Sequence, residues 1–245
     1  MCRRLAVLSP LGGLYLSIGG QNRIVPSKKD LPGGGQVERL ENLVRAARQA
    51  GVDDSRVLDA MRRVPRAAFV PPDQVRLAYH DEPMPIPHGQ VTTQPSLSAR
   101  MVQALRLIGT EHVLEVGTGY GYQTALLAQL ASFVTSIERW PDLAELSSRN
   151  LAAQDITNVL IVVGDGSEGV PAKAPYDAIL VSAAFPQVPE PLVSQLQIGG
   201  RLVQPIGPGG AELVTVFERS ADGLVSHEVV CHARFVRLYG RHGYQ

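Results

Sequence analysis

The sequence predicts a doubly wound α/β fold: a mostly parallel sheet with helices on both faces, an antiparallel hairpin at its carboxyl-terminal edge, and a helical and loop region ahead of it. Three observations predict it. From residue 113 onward, short β-branched apolar runs alternate with helix-spaced segments. The first run, Val113-Leu-Glu-Val116, stops in three alternating glycines, Gly117, Gly119 and Gly121, and a helical pattern follows at once. Near the end, two further runs flank Ala221-Asp-Gly223, which reads as a hairpin turn.

Residues 1–36 are expected to be a poorly ordered extension. Arg3-Arg4 before Leu5-Ala-Val-Leu8 looks like the start of a signal peptide, but Pro10, Gly12 and Gly13 break it and no small-x-small cleavage site follows. Residues 37–108 form the helical and substrate-loop region. Leu40, Leu43, Val44 and Ala47 give helical spacing over 37–50, and a second helix over 53–63 has Asp53 or Asp54 as cap. Residues 64–94 hold Pro65, Pro71, Pro72, Pro83, Pro85 and Pro87, so they are expected to be irregular. A third helix reads over 97–107. In the core, 109–245, strands read over 113–116, 133–138, 159–163, 178–182 and 201–205, and helices over 122–130, 142–154 and 191–197. The hairpin strands read over 213–218 and 224–230.

Composition narrows the function. Of the 245 residues, 44% are hydrophobic and 19% charged, which suits a folded core rather than disorder. Lys plus Arg and Asp plus Glu are both 23, and a zero net charge argues against a nucleic-acid partner. Two cysteines, Cys2 and Cys231, give no disulfide framework, and no apolar run is long enough to span a bilayer. A cytoplasmic location is expected. No metal is expected: His227 and His232 are an odd number apart on a predicted strand, and neither His80 nor His88 has ligand spacing around it.

The glycine loop implies a nucleotide-like ligand. A dinucleotide site would read G-x-G-x-x-G, but here the order is G-x-G-x-G and position 122 is Tyr. Glu138 ends the second strand, where a carboxylate can accept ribose hydroxyls. Glu115, inside the first strand, is expected to face a cationic ligand group. Asp165, in Gly164-Asp165-Gly166 after the third strand, is expected to accept from an adenine amino group, with Gly166 letting the base approach. Together these favour S-adenosylmethionine, which carries an amino group and a sulfonium. Trp140, at a helix start, reads as packing.

These residues resemble the protein-L-isoaspartate O-methyltransferase family. The matching segments are 64–70 (VPRAAFV), 78–83 (AYHDEP), 89–95, 113–128, 136–139 (SIER), 164–166, 174–177 (APYD) and 195–200. The resemblance implies a Rossmann-like class I methyltransferase with a seven-stranded sheet. It implies methyl transfer from S-adenosylmethionine to the side carboxylate of L-isoaspartyl residues in damaged proteins; a monomer is expected because a site that takes a whole polypeptide must stay open, and no membrane partner is expected. It also implies that Thr93 orients the acceptor carboxylate, and that Gln94, Pro95 and Ser98 pack against the cofactor. Three positions depart from the family pattern: Val91 stands for Thr, Thr93 for Ser, and Arg237 for Pro. They leave open a small-molecule carboxylate or hydroxyl as acceptor, and an inactive cofactor-binding homologue remains a third reading.

Overall fold

A computed structural model describes residues 36–208 and 210–245. The extension expected over residues 1–36 lies outside them up to residue 35. Helix α1 (Gln36–Gln49) buries Leu40, Leu43, Val44 and Ala47, the stripe that its spacing predicts. Helix α2 (Ser55–Arg63) is capped by Asp54, whose side chain accepts from the Arg56 backbone N–H. Their apolar faces join the main core, where each fully buried aliphatic side chain contributes about 1.5–3 kcal/mol.

The proline-rich stretch is more ordered than its composition suggests. It forms short 3₁₀ turns at Arg66–Phe69, Pro72–Leu77 and Pro87–Gly89. It also forms a small antiparallel ladder of β1 (Met84–Ile86) and β2 (Gln90–Thr92). Strands of three residues are too short to give a readable alternation. Helix α3 (Pro95–Ala104) follows, with Pro95 in its first turn.

The core then runs β3 (His112–Val116), α4 (Tyr122–Ala128), β4 (Phe133–Glu138), α5 (Pro141–Ala152), β5 (Val159–Val163), β6 (Tyr176–Val181), α6 (Glu190–Gln195), β7 (Leu196–Ile206), β8 (Glu212–Ser220) and β9 (Gly223–Ala233). The 7-stranded sheet has the order β5-β4-β3-β6-β7-β8-β9. Strands β5 to β7 are mutually parallel, and β8 and β9 add antiparallel at one edge. Side chains alternate between two cores: Val113, Leu180 and Val203 join one, and Leu114, Ile179, Val181 and Leu202 the other. That explains why the strands read as continuous apolar runs.

The chain winds outward from β3 to β4 and β5, then returns to place β6 on the other side of β3. A crevice opens at such a reversal, beyond the carboxyl ends of the strands. Several boundaries differ from expectation by a few residues: α3, α4 and α5 end two to three residues early, and β7 begins five residues early. Helix α6 stops at Gln195 rather than 197, because Leu196 turns extended and pairs with Tyr176 before the register shifts at Ala178↔Arg201.

Candidate active site

The glycine loop sits at this reversal. Gly117, Gly119 and Gly121 all have positive φ, at 95°, 56° and 91°. At Gly121 the requirement is the backbone conformation, since a Cβ would meet Ser147 Cβ only at an ordinary 3.4 Å. The loop is tied down by its backbone: Gly117 N–H donates to the Ile137 carbonyl at 2.9 Å, and Gly119 N–H to Glu138 Oε2 at 2.9 Å. Glu138 Oε1 accepts from the Trp140 N–H at 3.0 Å, so this carboxylate, 5% exposed, shapes both the loop and the turn into α5. It still lines the crevice, as do Gly117, Gly119, Gly121 and Gly166. Gly166 is there for close approach, because a Cβ would stand 2.5 Å from Val116 Cγ1.

Two carboxylates that the sequence expects at the ligand, Glu115 and Asp165, are held by other residues of the chain and are not among those lining the crevice. Glu115 is 0% exposed. Its Oε2 accepts from Thr124 Oγ1 at 2.5 Å and Ser136 Oγ at 2.7 Å, and its Oε1 from Gln123 Nε2 at 3.1 Å. Burial pushes its pKa up to about 7 against these hydrogen bonds, with the charge of Glu138 adding to the rise. It supports the loop from behind, and Gln123, which it holds, is the residue that reaches the crevice.

Asp165 faces the end of the chain. It accepts from Ser167 N–H at 2.9 Å, Ser167 Oγ at 2.7 Å and Arg241 N–H at 2.7 Å. Burial would raise its pKa, but these donors hold it below the ordinary carboxylate value. Gly240 permits the contact, since a Cβ there would lie 2.0 Å from Asp165 Oδ1. The sequence could not foresee a partner from the far end of the chain.

The opposite wall comes from the loop before α3. Thr93 lines the crevice and also a second cavity of about 390 Å³ on its other side. Val91, Thr92, Ser182 and Val236 belong to both as well. Gln94 lines only the second cavity, and Pro95 is buried in the first turn of α3. Ser98 lines the crevice from α3. Asp81 accepts from Ser96 N–H and Gln94 Nε2, both at 2.8 Å, and so serves the start of α3.

Sequence reasoning missed two supports. Arg66 is fully buried and donates to the Ala78, His80 and Glu82 carbonyls and to Thr92 Oγ1. It pins the whole loop against β2. Burial alone pulls its pKa down, while nearby Tyr122 and Asp81 oppose that. The second support is His88, which stacks on Trp140 with ring centroids 3.9 Å apart and planes 6° apart. Its Nε2 lies 2.9 Å from both Asp142 carboxylate oxygens, bridging the β1–β2 turn to α5. Trp140 does pack, as expected, but it also forms part of the crevice wall.

Four buried polar atoms have no hydrogen-bond partner and belong to residues that line this one crevice: Ser98 Oγ, Tyr122 OH, Gln123 Oε1 and Trp140 Nε1. Buried polar groups ordinarily find partners. Unpaired polar atoms on crevice-lining residues fit a site that takes a ligand with donors and acceptors. Among the described residues no group of three or more His, Cys, Asp or Glu could hold a metal, and no helix is long and apolar enough to cross a membrane.

The model of the family described as protein-L-isoaspartate(D-aspartate) O-methyltransferase matches residues 38–243. The chain belongs to this family. A protein-L-isoaspartate O-methyltransferase of Methanoculleus marisnigri is 47% identical over 209 residues, covering 85% of this chain and 94% of that one. One of Anaeromyxobacter dehalogenans is 52% identical over 191 residues, covering 77% and 91%. A solved protein-L-isoaspartate O-methyltransferase superposes with a TM-score of 0.73 at 30% identity, covering 83% of this chain and 67% of the other. A Plasmodium falciparum protein described as a putative member, solved in complex with S-adenosyl-L-homocysteine, superposes at 0.69 with 26% identity, covering 83% and 98%. As a protein-L-isoaspartate O-methyltransferase family member, the chain has both walls of its crevice, the 91–98 loop and the glycine loop, inside the matched span.

Proposed function

We propose that the chain transfers a methyl group from S-adenosylmethionine to the side carboxylate of L-isoaspartyl residues in damaged proteins. The observation that carries this reading is the meeting of two cavities at Thr93, one lined by the glycine loop and the other opening away from it. Family membership supports the reaction, and the S-adenosyl-L-homocysteine complex of the Plasmodium relative supports the cofactor. The residues fit that cofactor: the glycine loop, Glu138 and Gly166 would face its nucleoside, and the orphaned polar atoms of Ser98, Tyr122 and Gln123 would meet its polar groups. When bound, it supplies an electrophilic methyl on a sulfonium.

The chain's own residues then have little covalent chemistry to do. The acceptor carboxylate has an ordinary pKa near 4, so it is ionised at neutral pH and needs no general base. The bound donor would supply the methyl and keep the departing electron pair, so the chain's residues have only to present a carboxylate oxygen and have no proton to move. Catalysis reduces to alignment and exclusion of water, worth up to about 7–11 kcal/mol. The Thr93 hydroxyl would donate to the carboxylate and aim it. Thr92 Oγ1 accepts from Met84 N–H and Arg66, which fixes that side chain against the β1–β2 ladder. Glu115 acts by holding Gln123 and the loop, and Asp165 by fixing the chain end beside Gly166. Residues 37–108 would supply the substrate loop, and 109–245 the cofactor-binding core together with the far wall of the second cavity. The same reading has the protein acting in the cytoplasm as a monomer without nucleic acid, supported by its zero net charge and an acceptor site that must admit a polypeptide.

The test is a radiolabelled methyl-transfer assay on an isoaspartyl peptide, its aspartyl twin and a no-peptide control. Base-labile label is expected on the isoaspartyl peptide alone. Thr93→Ser should retain most turnover, and Thr93→Ala should lose about 10–100-fold, the worth of one hydrogen bond to a charged group. Label on both peptides alike, or equal rates for all three proteins, would refute the reading.

A further inference from the structure

The second cavity has a charge pattern that the methyl-transfer reading does not use. Its walls are the 91–97 loop and start of α3 on one side, and the end of β9 with residues 234–236 on the other. Arg100, His232 and Arg234 line it, and no Asp or Glu does. Arg237 stands just beyond, in the adjoining crevice. In a chain with zero net charge this is a local concentration of one sign.

The cations differ in availability. Arg100 is committed to the Val230 carbonyl. Arg237 lies over the Tyr244 ring at 4.9 Å. Arg234 is exposed, and among the described residues neither Arg234 nor Arg237 has a carboxylate within ion-pair distance. Asp81, which is not part of the lining, already accepts from Gln94 and Ser96.

We propose that this cavity seats the polypeptide around the methylated residue and that Arg234, aided by Arg237, selects acceptors with acidic neighbours. The inference rests on the acceptor assignment above. The cavity shares Thr93 and Ser182 with the crevice, so a chain lying in it brings its side carboxylate to the Thr93 hydroxyl. Its size falls within the range of sites that enclose a ligand. A guanidinium without an internal partner offers a planar, two-pronged match to a flanking carboxylate. The same field favours the anionic acceptor over its neutral ester product, which assists release.

The test uses three isoaspartyl peptides identical except that the residues flanking the isoaspartate are Glu, Gln or Lys. For the parent protein kcat/KM should fall in that order, by about 3–10-fold from Glu to Lys and mainly through KM. The spread should shrink as salt rises, as expected of partly exposed charges. Arg234→Gln should compress the order towards equality, and Arg234→Glu should invert it. Melting curves establish that both variants are folded, and Arg234→Gln alone carries the test if the reversal variant is not. Equal kcat/KM on the three peptides, or an acidic preference that survives in Arg234→Glu, overturns the selection while leaving the acceptor class intact. No transfer to any of them overturns the acceptor class and this proposal together.

Discussion

A buried carboxylate behind the ligand loop makes stability depend on pH in a defined direction. Glu115 has an ordinary value of 4.5 and is raised to about 7 by burial. Below the ordinary value it is neutral in both folded and unfolded chains and adds no penalty. Between about 4.5 and 7 the unfolded chain releases this proton while the folded chain keeps it. Stability therefore falls as pH rises through that window, by about 3 kcal/mol in total, and levels off above it. Glu115→Gln removes the titration. The melting temperature of Glu115→Gln minus that of the parent is expected to climb from pH 4.5 to 7 and then stay flat. A difference that is constant across the window would show that the carboxylate is not held in this way. At this scale the sequence was a partial guide. Glycine positions were legible, because a loop that meets a ligand with positive φ leaves few alternatives to Gly. The directions of Glu115 and Asp165 were not. They depend on Thr124, Ser136 and Arg241, brought near by the fold rather than by sequence spacing.

Among the elements, the loop between α2 and α3 carries the least regular structure and depends most on one side chain. The donations of Arg66 to three carbonyls and one hydroxyl replace the hydrogen bonds that a regular element would make for itself. Arg66→Ala leaves the buried Ala78 carbonyl unmatched and the part-buried His80 and Glu82 carbonyls without their donor, at about 1–3 kcal/mol for each that water cannot reach. A loss of at least about 3 kcal/mol in urea unfolding is expected, with faster proteolytic cutting over residues 78–92. Arg66→Lys should recover less than half of it, since a single ammonium cannot span the same acceptors. Unchanged cutting in Arg66→Ala would mean that the loop is held by other contacts. The long elements of the core were legible because periodicity accumulates over many residues. This loop was not, because its order comes from one buried cation and two three-residue strands.

For the molecule as a whole, ligand binding and folding are linked. A ligand that occupies the crevice only in the folded state adds about 2.7 kcal/mol at a hundred times its Kd. S-adenosylhomocysteine is therefore expected to raise the melting temperature by about 5–10 °C. NAD at matched saturation attempts should raise it by none. A shift with NAD and none with S-adenosylhomocysteine would reverse the choice between the two nucleotide classes. The doubly wound topology and its antiparallel edge were legible from the alternation of elements and the Asp222-Gly223 turn. The return of the chain end to the sheet's reversal point was not, although the Ala184↔Arg237 bridge and the Arg241 bond to Asp165 fix it there. That return has a consequence for synthesis. The glycines and Glu138 emerge from the ribosome long before Val236, Leu238 and Tyr239, which close the same crevice. A nascent chain stalled before these residues would hold its nucleotide-facing half with one wall missing, so full affinity should arise only once residues 236–239 have been made and docked.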